Sequence, residues 1–361
     1  MSLLFHPLRV KSVVPDTDEA MIVSFDVPEA LASEFRFTHG QHLTLREVLG
    51  GVEQRRSYSI CAGVDDGELR VGVRKVPDGV FSNWLHASLR PGAQIQVMAP
   101  EGRFFVPIDP TSGRHYLGIA GGSGITPLLS IMKTVLAREP ASTFTLIYGN
   151  RRQKSTMFKE ELEDLKNRYL TRLVLHWVFS REQMDSTLAS GRLDRAKLGE
   201  FLGTLIDPSG IDHAFICGPH GVNDEAEAAL LAAGVAPERI HIERFGIPVE
   251  ADGARIAGAA RAREGDAPQA VITIVRDGLT REVDFRGEHA SILDAAADAG
   301  LEVPFSCKSG VCCTCRAKLI EGKVRMERNF ALEKHEVEAG FILTCQAHPL
   351  TERVVVSYDE R

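Results

Sequence analysis

Four cysteines towards the end of this 361-residue sequence are spaced as ligands for iron. Cys307, Cys312 and Cys315 follow the pattern C-x4-C-x2-C, and Cys345 lies further along the chain. Four thiolates at this spacing are the ligand set of a 2Fe-2S centre. Structural zinc is the alternative, but zinc sites with four cysteines usually contain two C-x2-C pairs and no four-residue gap. The spacing therefore favours a 2Fe-2S cluster.

The residues between these cysteines suit a loop that wraps around inorganic sulfide. Ser309 and Gly310 are small or flexible, so the backbone can turn its N–H groups towards the cluster. Cys313 lies between two of the ligands, and we interpret it as a bystander. Cys61 and Cys217 are too far along the chain to belong to the ligand set by spacing.

The composition is that of a globular chain with room for two or three domains. Hydrophobic residues make up 44% of the sequence and charged residues 25%, and the formal net charge is -7. Lysine and arginine are spread along the chain, so we expect no nucleic-acid partner. No apolar run approaches the length of a membrane span, and the first residues lack a signal-peptide pattern. We therefore expect a cytoplasmic protein without membrane contact.

The first two thirds of the sequence fall into two segments with different patterns of apolar and polar residues. Residues 1–108 contain short runs of alternating apolar and polar residues, such as 21–27 and 69–73, separated by Gly, Pro and Asp. This pattern predicts a small antiparallel β-barrel. Residues 109–247 alternate strand-like and helical segments, which predicts an α/β domain built on a parallel sheet.

The remaining sequence predicts a linker and a third domain. Residues 248–268 are mostly small or charged, with little to bury, as in a linker. Residues 269–361 begin with two strand-like runs and a helix. Ser291 and Asp294 form a capping box at the helix start, and Gly300 marks its end. The cysteine loop follows directly.

The segment Arg56-Ser57-Tyr58-Ser59 resembles the R-x-Y-S motif of the ferredoxin-NADP reductase superfamily, and the resemblance covers residues 1–247. It implies an FAD-binding barrel followed by an NADP-binding α/β domain. Arg56 would neutralise the FAD pyrophosphate, and Tyr58 would contact the isoalloxazine. Ser59 would act as a catalytic residue by donating near flavin N5. A surface cross-strand pair is the alternative for Arg56 and Tyr58.

A second segment of the barrel, Gly79-Val80-Phe81-Ser82, resembles the superfamily's G-x-x-S element. It leads into a helix whose first N–H groups would hold the diphosphate. The FAD-contact candidates under this resemblance are Arg56, Ser57, Tyr58, Ser59, Val73, Arg74, Lys75, Gly79, Val80, Phe81 and Ser82.

The string Gly-Gly-Ser-Gly-Ile-Thr-Pro at 121–127 resembles the superfamily's nicotinamide-nucleotide loop, whose glycines let the backbone approach a pyrophosphate. Cys217-Gly218-Pro219 resembles the C-G-P motif, which would make Cys217 a catalytic residue beside the nicotinamide. A buried cysteine at a strand end is the alternative. Phe245 would cover one flavin face, or it would be a hydrophobic residue packed at the boundary between the two domains. The candidates in these segments are Gly122, Gly124, Thr126, Cys217, Gly218, Pro219 and Phe245.

Two arginines at strand ends favour NADPH over NADH. Arg151 follows one predicted strand, and Ser180 and Arg181 follow a later one, on the carboxyl edge where parallel sheets bind ligands. Arginine and serine suit a 2′-phosphate, whereas a carboxylate would suit free ribose hydroxyls. A solvated surface charge is the alternative for either arginine.

Residues 270–361 resemble a plant-type ferredoxin domain of the β-grasp fold, in which the four spaced cysteines would be the cluster ligands. The domain order, with the reductase first and the ferredoxin last, resembles the reductase components of multicomponent oxygenases. The resemblance implies that electrons pass from NADPH to FAD and then singly through the cluster to an oxygenase component.

Residues 321–324, 326–332 and 340–347 extend the resemblance to the reductase subunits of phenylacetyl-coenzyme A epoxidases. This implies a di-iron partner that epoxidises an aromatic acyl-coenzyme A in phenylacetate catabolism. A Rieske-type or steroid-ring hydroxylase is an alternative acceptor, and a redox-sensing iron-sulfur module is an alternative of another class. Basic residues close to the cysteine loop are candidates for docking an acidic acceptor or for surface solvation. They are Arg316, Lys318, Lys323, Arg325 and Arg328.

Overall fold

The computed structural model of the chain describes residues 4–246 and 263–360. It divides into two compact units, Met1–Phe245 and Gly246–Arg361. Each unit has buried hydrophobic clusters of its own. In the described ranges no helix is long and apolar enough to cross a membrane.

The first part of the first unit is an antiparallel sheet of six strands, as the alternating pattern predicts. Its elements are β1 (Phe5–Thr17), β2 (Ala20–Asp26), β3 (His42–Leu49), β4 (Val52–Ser59), β5 (Leu69–Arg74), α1 (Val80–Ser88) and β6 (Gln94–Met98). The strand order is β4-β3-β6-β1-β2-β5, and a bridge between Ile60 and Val71 joins the two ends of the sheet. The sheet therefore closes into a barrel, filled by inward-facing side chains such as Leu43 and Leu45.

The second part of the first unit is an α/β lobe with a five-stranded parallel sheet. Its elements are β7 (His115–Gly121), α2 (Ile125–Arg138), β8 (Thr143–Asn150), α3 (Lys159–Arg168), β9 (Leu173–Phe179), α4 (Arg195–Thr204), β10 (His213–Gly218), α5 (His220–Ala232) and β11 (Ile240–Arg244). The order is β11-β10-β7-β8-β9. The chain changes direction across the sheet between β7 and β10, so a ligand is expected outside the carboxyl ends of these two strands.

The second unit is a mixed sheet with a short helix packed on it, as in a β-grasp domain. Its elements are β12 (Gln269–Arg276), β13 (Leu279–Arg286), α6 (Ile292–Asp298), β14 (Arg316–Glu321), β15 (Val324–Met326), α7 (Lys334–Glu338), β16 (Phe341–Leu343), β17 (Ala347–Pro349) and β18 (Arg353–Ser357). The main sheet has the order β13-β12-β18-β14-β16, and β15 pairs with β17. Ser291 is the N-cap of α6, because its side chain accepts the N–H of Asp294.

The described end of the predicted linker is packed onto this second unit. Residues 248–262 lie outside the described residues, whereas residues 263–268 make defined contacts. The Asp266 carboxylate accepts bonds from Arg325 Nε at 2.9 Å and Nη2 at 2.6 Å, and the Ala267 N–H donates to the Pro349 carbonyl at 2.9 Å. The sequence did not predict this attachment, because small and charged residues suggest a linker regardless of what they contact.

Candidate active site and iron-sulfur centre

Two loops meet backbone to backbone at the carboxyl ends of β7 and β10. A Cβ atom on Gly124 would overlap the carbonyl oxygen of Cys217, and one on Gly121 would lie 2.8 Å from Pro219 Cδ. A Cβ on Gly218 would lie 3.0 Å from the backbone nitrogen of Gly121. Only glycine permits this approach, so the glycine loop and the C-G-P loop form one surface at the predicted ligand position.

The barrel supplies a positive charge to this surface. Arg74, the last residue of β5, places Nη1 2.8 Å from where a Cβ of Gly122 would lie. Its Nη2 donates to Glu19 at 2.8 Å. The Gly122 carbonyl accepts the hydroxyl of Tyr148 at 2.8 Å, which holds the loop in its left-handed turn at φ 54. The structure thus brings a predicted FAD candidate and a predicted nucleotide candidate together.

Thr126 faces the barrel and is almost fully buried. Its hydroxyl donates to the Ser123 carbonyl at 3.0 Å, and its methyl group lies against Gly72 of β5. These contacts favour a role for Thr126 in holding the glycine loop. Its contact with the cofactor stays a prediction.

Three protic side chains converge where the sheet meets the barrel. Ser59, at the end of β4, donates from Oγ to Oε2 of Glu243 at 3.3 Å. Glu243 lies on β11 in register with Cys217 on β10. Burial raises the pKa of Glu243 to about 8, against a smaller lowering by the Ser59 hydrogen bond. Burial, and then the nearby Glu243 charge, raises the pKa of the Cys217 thiol. Both shifts favour the uncharged forms of Glu243 and Cys217.

Sequence reasoning missed Glu243 as a site residue. The only signal was a charged residue between Ile242 and the Arg244-Phe245 pair, which is common on exposed strands. Asn223 was missed as well. It is fully buried, its Nδ2 donates to the Glu243 carbonyl at 3.1 Å, and within the described residues its Oδ1 has no hydrogen-bond partner. An unused buried acceptor beside the C-G-P loop fits a site that receives a polar ligand.

The predicted FAD segments lie together on the barrel. Tyr58 stacks with Phe81, their ring centroids 6.3 Å apart at 26°, and burial raises the pKa of Tyr58. Gly79 is the N-cap of α1 and has no side chain to satisfy the first N–H groups of the helix. Ser82 Oγ accepts the N–H of Val76 at 3.1 Å, which fixes the loop before the helix. The helix start can therefore accept a diphosphate.

The other FAD candidates are less available for side-chain contact. Arg56 is exposed and donates from Nη1 to the Arg55 carbonyl at 2.6 Å. Val73 is fully buried in the barrel, and its carbonyl lies 3.1 Å from His86 Nε2. The N–H of Lys75 donates to the Glu19 carbonyl at 2.8 Å. Phe245 is half-buried against the cluster that contains Cys217, so it lies at the junction of barrel and lobe.

The structure gathers Arg151, Ser180 and Arg181 at one edge of the sheet. The N–H of Ser180 donates to the Asn150 carbonyl and that of Arg181 to the Arg151 carbonyl, both at 2.9 Å. Ser180 and Arg181 line an open cavity of about 370 Å³. Glu182 lines it too, but its carboxylate accepts the N–H of Gln153 at 2.6 Å. Arg181 lines this cavity, whereas Arg151 does not, so a joint phosphate-binding role for the two arginines stays a prediction.

The four predicted ligand cysteines form two pairs. Cys312 hydrogen-bonds Cys307, and this bond holds the pKa of Cys307 below its usual value. Cys345 hydrogen-bonds Cys315, which is the main cause of the raised pKa of Cys315. In the part of the chain that the structure describes, no three His, Cys, Asp or Glu side chains converge as for a single metal ion. Paired thiols fit a two-iron cluster better than one zinc ion.

The cysteine loop is shaped to keep Cys313 away from these pairs. Cys313 has φ 55, and its thiol donates to the Ala331 carbonyl at 3.2 Å. Gly310 turns the loop at φ 80, and its carbonyl accepts the N–H of Phe330. The N–H of Ser309 points at Cys307 Sγ at 3.4 Å, as expected of a loop that stabilises sulfur anions.

A hydrogen-bonded chain links the C-terminal strand to the second cysteine pair. The Tyr358 hydroxyl donates to Thr344 Oγ1 at 2.8 Å, and that hydroxyl donates to the Cys315 carbonyl at 3.0 Å. Thr344 directly precedes Cys345, so the chain ties the two paired ligands together. Sequence reasoning missed this role for Tyr358, which lies outside the motif.

Two of the basic residues near the loop are already paired. Arg316 forms an ion pair with the buried Glu336 at 3.2 Å and lies 3.4 Å from the ring centre of Phe341. Arg325 is bound to Asp266 and Glu327. These two charges form ion pairs within the fold. A docking face for an acceptor near the cysteine loop stays a prediction.

Comparison with known proteins agrees with this architecture. Residues 7–106 match the oxidoreductase FAD-binding domain, residues 119–227 the oxidoreductase NAD-binding domain, and residues 274–350 the 2Fe-2S iron-sulfur cluster binding domain. The chain is 44% identical to a subunit of 1,2-phenylacetyl-CoA epoxidase from Escherichia coli (strain K12), over 99% of this chain and 98% of that protein.

The chain belongs to the ferredoxin-NADP reductase family.

Two further proteins match this chain over nearly its full length. The reductase is 38% identical to the ferredoxin reductase component of 3-ketosteroid-9-alpha-monooxygenase from Mycolicibacterium smegmatis, over 98% of this chain and 97% of that one. Phthalate dioxygenase reductase has the same fold, with a TM-score of 0.56, 22% identity and 98% coverage of both chains. This reductase is an NAD(P)H-dependent oxidoreductase with FAD, nicotinamide-nucleotide and 2Fe-2S domains.

Proposed function

We propose that this reductase draws electrons from NADPH and delivers them singly to the di-iron oxygenase of a phenylacetyl-coenzyme A epoxidase. The observation that carries the proposal is the 44% identity to the epoxidase protein of Escherichia coli, which spans both units. The 38% identity to the steroid monooxygenase reductase makes a steroid-ring hydroxylase the second candidate acceptor.

The residues at the junction suit hydride transfer between two bound rings. FAD accepts a hydride from reduced nicotinamide, and a 2Fe-2S cluster passes one electron at a time. Ser59 offers a hydroxyl at the barrel end and Cys217 a neutral thiol at the sheet end. A pKa raised to about 8 favours the protonated form of Glu243 at neutral pH, which would place no fixed negative charge where a hydride must cross.

The surrounding residues would hold the two nucleotides. The start of α1 and Arg74 would bind the FAD diphosphate, while Tyr58 and Phe245 would contact the flavin. The glycine loop would approach the pyrophosphate of the nicotinamide nucleotide. Arg151 and Arg181 would bind a 2′-phosphate, which is why we propose NADPH over NADH.

The paired cysteines of the second unit would hold the cluster. Cys307, Cys312, Cys315 and Cys345 supply the four thiolates, and the N–H of Ser309 would stabilise the sulfur charge. Cys313 takes no part, because its thiol is directed to Ala331.

An anaerobic titration tests the source of electrons. The purified protein is titrated with NADPH and separately with NADH, and the flavin and cluster are followed by absorbance and electron paramagnetic resonance. We expect rapid bleaching at lower concentrations of NADPH and a rhombic signal from the reduced cluster. Slow reduction by both nucleotides, with little turnover of ferricyanide or cytochrome c, would support the redox-sensor alternative instead.

Reconstitution tests the acceptor. The reductase is mixed with the oxygenase components of a phenylacetyl-coenzyme A epoxidase or of a 3-ketosteroid 9α-hydroxylase, each with its own substrate. We expect NADPH consumption to couple to epoxide formation and little product from the steroid system. Coupling to the steroid oxygenase alone would overturn the proposed partner while leaving the reductase activity in place.

A further inference from the structure

Strand β5 of the barrel touches the α/β lobe at a glycine. A Cβ atom on Gly72 would lie 2.7 Å from Thr126 Cγ2 and 3.0 Å from Phe158 Cζ. Thr126 is in the first turn of α2, and Phe158 is the N-cap of α3. The absence of a side chain at residue 72 therefore allows three elements to meet.

Phe158 has an unusual backbone at this contact. Its φ of 56 and ψ of 27 are in the left-handed region, which a bulky residue rarely adopts, and its ring is buried. The Asp16 carboxylate accepts the N–H of Phe158 with both oxygens, at 3.1 and 3.2 Å. Asp16 belongs to β1, so a barrel side chain holds a strained residue of the nucleotide lobe in place.

Charged groups tie the same elements together a second time. Arg70 of β5 forms an ion pair with Glu161 of α3, and Lys133 of α2 binds Glu161 at 2.7 Å. Lys133 also binds Asp66 of the barrel at 2.5 Å. The contact around Gly72 is thus a fixed joint between the barrel and the lobe.

The joint lies between the two predicted nucleotide sites. From Gly72 the strand β5 continues for two residues to Arg74, which lies against Gly122. From Thr126 the chain leads back through the glycine loop to the same point. A shift at the joint therefore moves the FAD-binding strand relative to the nicotinamide-binding loop.

We propose that Asp16 and Gly72 are positioning residues that set the separation of the flavin and the nicotinamide during hydride transfer. They act through Phe158 and Thr126 and touch neither ring. The inference rests on the proposed NADPH-to-FAD reaction. A misplacement on the order of 1 Å can lower a rate by about a hundredfold, so a partial loosening is expected to lower it by roughly tenfold.

Stopped-flow reduction of the full-length holoprotein tests this role. Asp16→Ala and Gly72→Ala are compared with the wild type at saturating NADPH, with and without deuterium at the transferred position. We expect the rate constant of flavin reduction to fall roughly tenfold and the deuterium isotope effect to rise. FAD content and the dissociation constant for NADP⁺ should stay within about twofold of the wild type, since no binding group is removed.

Matched variants separate positioning from general damage. Asp16→Asn keeps an acceptor for the Phe158 N–H and should restore most of the rate. Asp18→Ala removes an exposed acid two residues away, and Gly203→Ala adds a methyl group where nothing lies within 4 Å. Both should behave as the wild type.

Three outcomes would overturn the inference. Wild-type rates and isotope effects in both test variants would show that the joint does not set the separation. Weaker binding of FAD or NADP⁺ with an unchanged saturated rate would assign the joint to binding. If neither nucleotide reduces the wild-type flavin, the proposed function fails, and the positioning role fails with it.

Discussion

The junction of the barrel and the α/β lobe and the cysteine loop of the second unit are built in opposite ways. Ser59 and Glu243 meet across 184 positions of sequence and come from different sheets. Three of the four paired cysteines lie within one loop. Burial at the junction raises the pKa of Glu243 and so favours its neutral form, whereas the cysteine loop directs an N–H at a sulfur and so favours its charged form. A site made by tertiary contact depends on many residues outside its motifs, and a local loop depends on few.

Removing one cluster ligand gives the largest expected effect. We expect Cys345→Ser to abolish cytochrome c reduction, because the one-electron exit is lost. Ferricyanide reduction by the flavin should stay within about twofold, because the first unit has its own fold. Cys313→Ser is the control and should retain both activities. Equal loss of both activities in Cys345→Ser would contradict the independence of the two sites.

The half-buried carboxyl of Glu243 at the junction predicts a pH-dependent stability. Glu243 has a pKa of about 8 when folded and the usual 4.5 when unfolded. Between these values the folded chain keeps a proton that the unfolded chain has lost. The free energy of unfolding should therefore fall by about 1.4 kcal/mol per pH unit as the pH rises through this window, and level off above it.

Glu243→Gln should remove this contribution. Urea unfolding between pH 5 and 9, followed by tryptophan fluorescence, measures it in the first unit alone, because both tryptophans, Trp84 and Trp177, lie there. Glu238→Gln, on an exposed turn, is the control. An unchanged pH slope in Glu243→Gln would mean that the carboxyl ionises normally in the folded protein.

Specificity for the nucleotide should depend on a charge at the edge of the same lobe. We expect Arg181→Ala to raise the KM for NADPH by roughly tenfold and to leave that for NADH unchanged, because only the 2′-phosphate loses a partner. Steady-state ferricyanide reduction measures both. Arg195→Ala removes another exposed arginine of the lobe as a control. A parallel rise for NADH would place Arg181 away from the phosphate.

The smallest effect tests whether the cysteine loop is independent of the C-terminal strand. Tyr358→Phe removes the hydroxyl that reaches Cys315 through Thr344. We expect cluster loss to a chelator to quicken by only a few fold, below the roughly tenfold to hundredfold range for groups that orient metal ligands directly, because Tyr358 acts through Thr344. Tyr169→Phe is the control in the other unit. Unchanged cluster lifetime and paramagnetic resonance spectrum would leave the loop independent of the C-terminal strand.

The sequence predicted the features that depend only on residues close together along the chain. The strands, the cap at Ser291 and the cysteine spacing all follow from such local patterns, and the fold has them. The sequence could not predict Glu243, whose role depends on Ser59 in another sheet. Nor could it predict that Thr126 is buried, because the reason is the missing side chain at Gly72 of the barrel.

The sequence also could not predict which charged residues form ion pairs in the fold. Basic residues near the cysteine loop suggest a surface for an acceptor until the acids that face them are known. Arg325 is bound by Asp266, which the sequence assigned to a linker, and Arg316 by Glu336 of a short helix. Both partners lie far enough along the chain that no helical or strand periodicity reveals the pairing.

The division of the chain into Met1–Phe245 and Gly246–Arg361, each with its own sheets, has a kinetic consequence. Asp266 anchors the described start of the second unit, so a cut placed between residues 246 and 263 would leave two polypeptides that keep their cores. Electron flow between them would then change from a first-order step to a collision that depends on protein concentration. Joining two units in one chain raises the effective concentration of each for the other, typically into the millimolar range. The split protein should therefore be slow at micromolar concentration and recover as its two halves are concentrated.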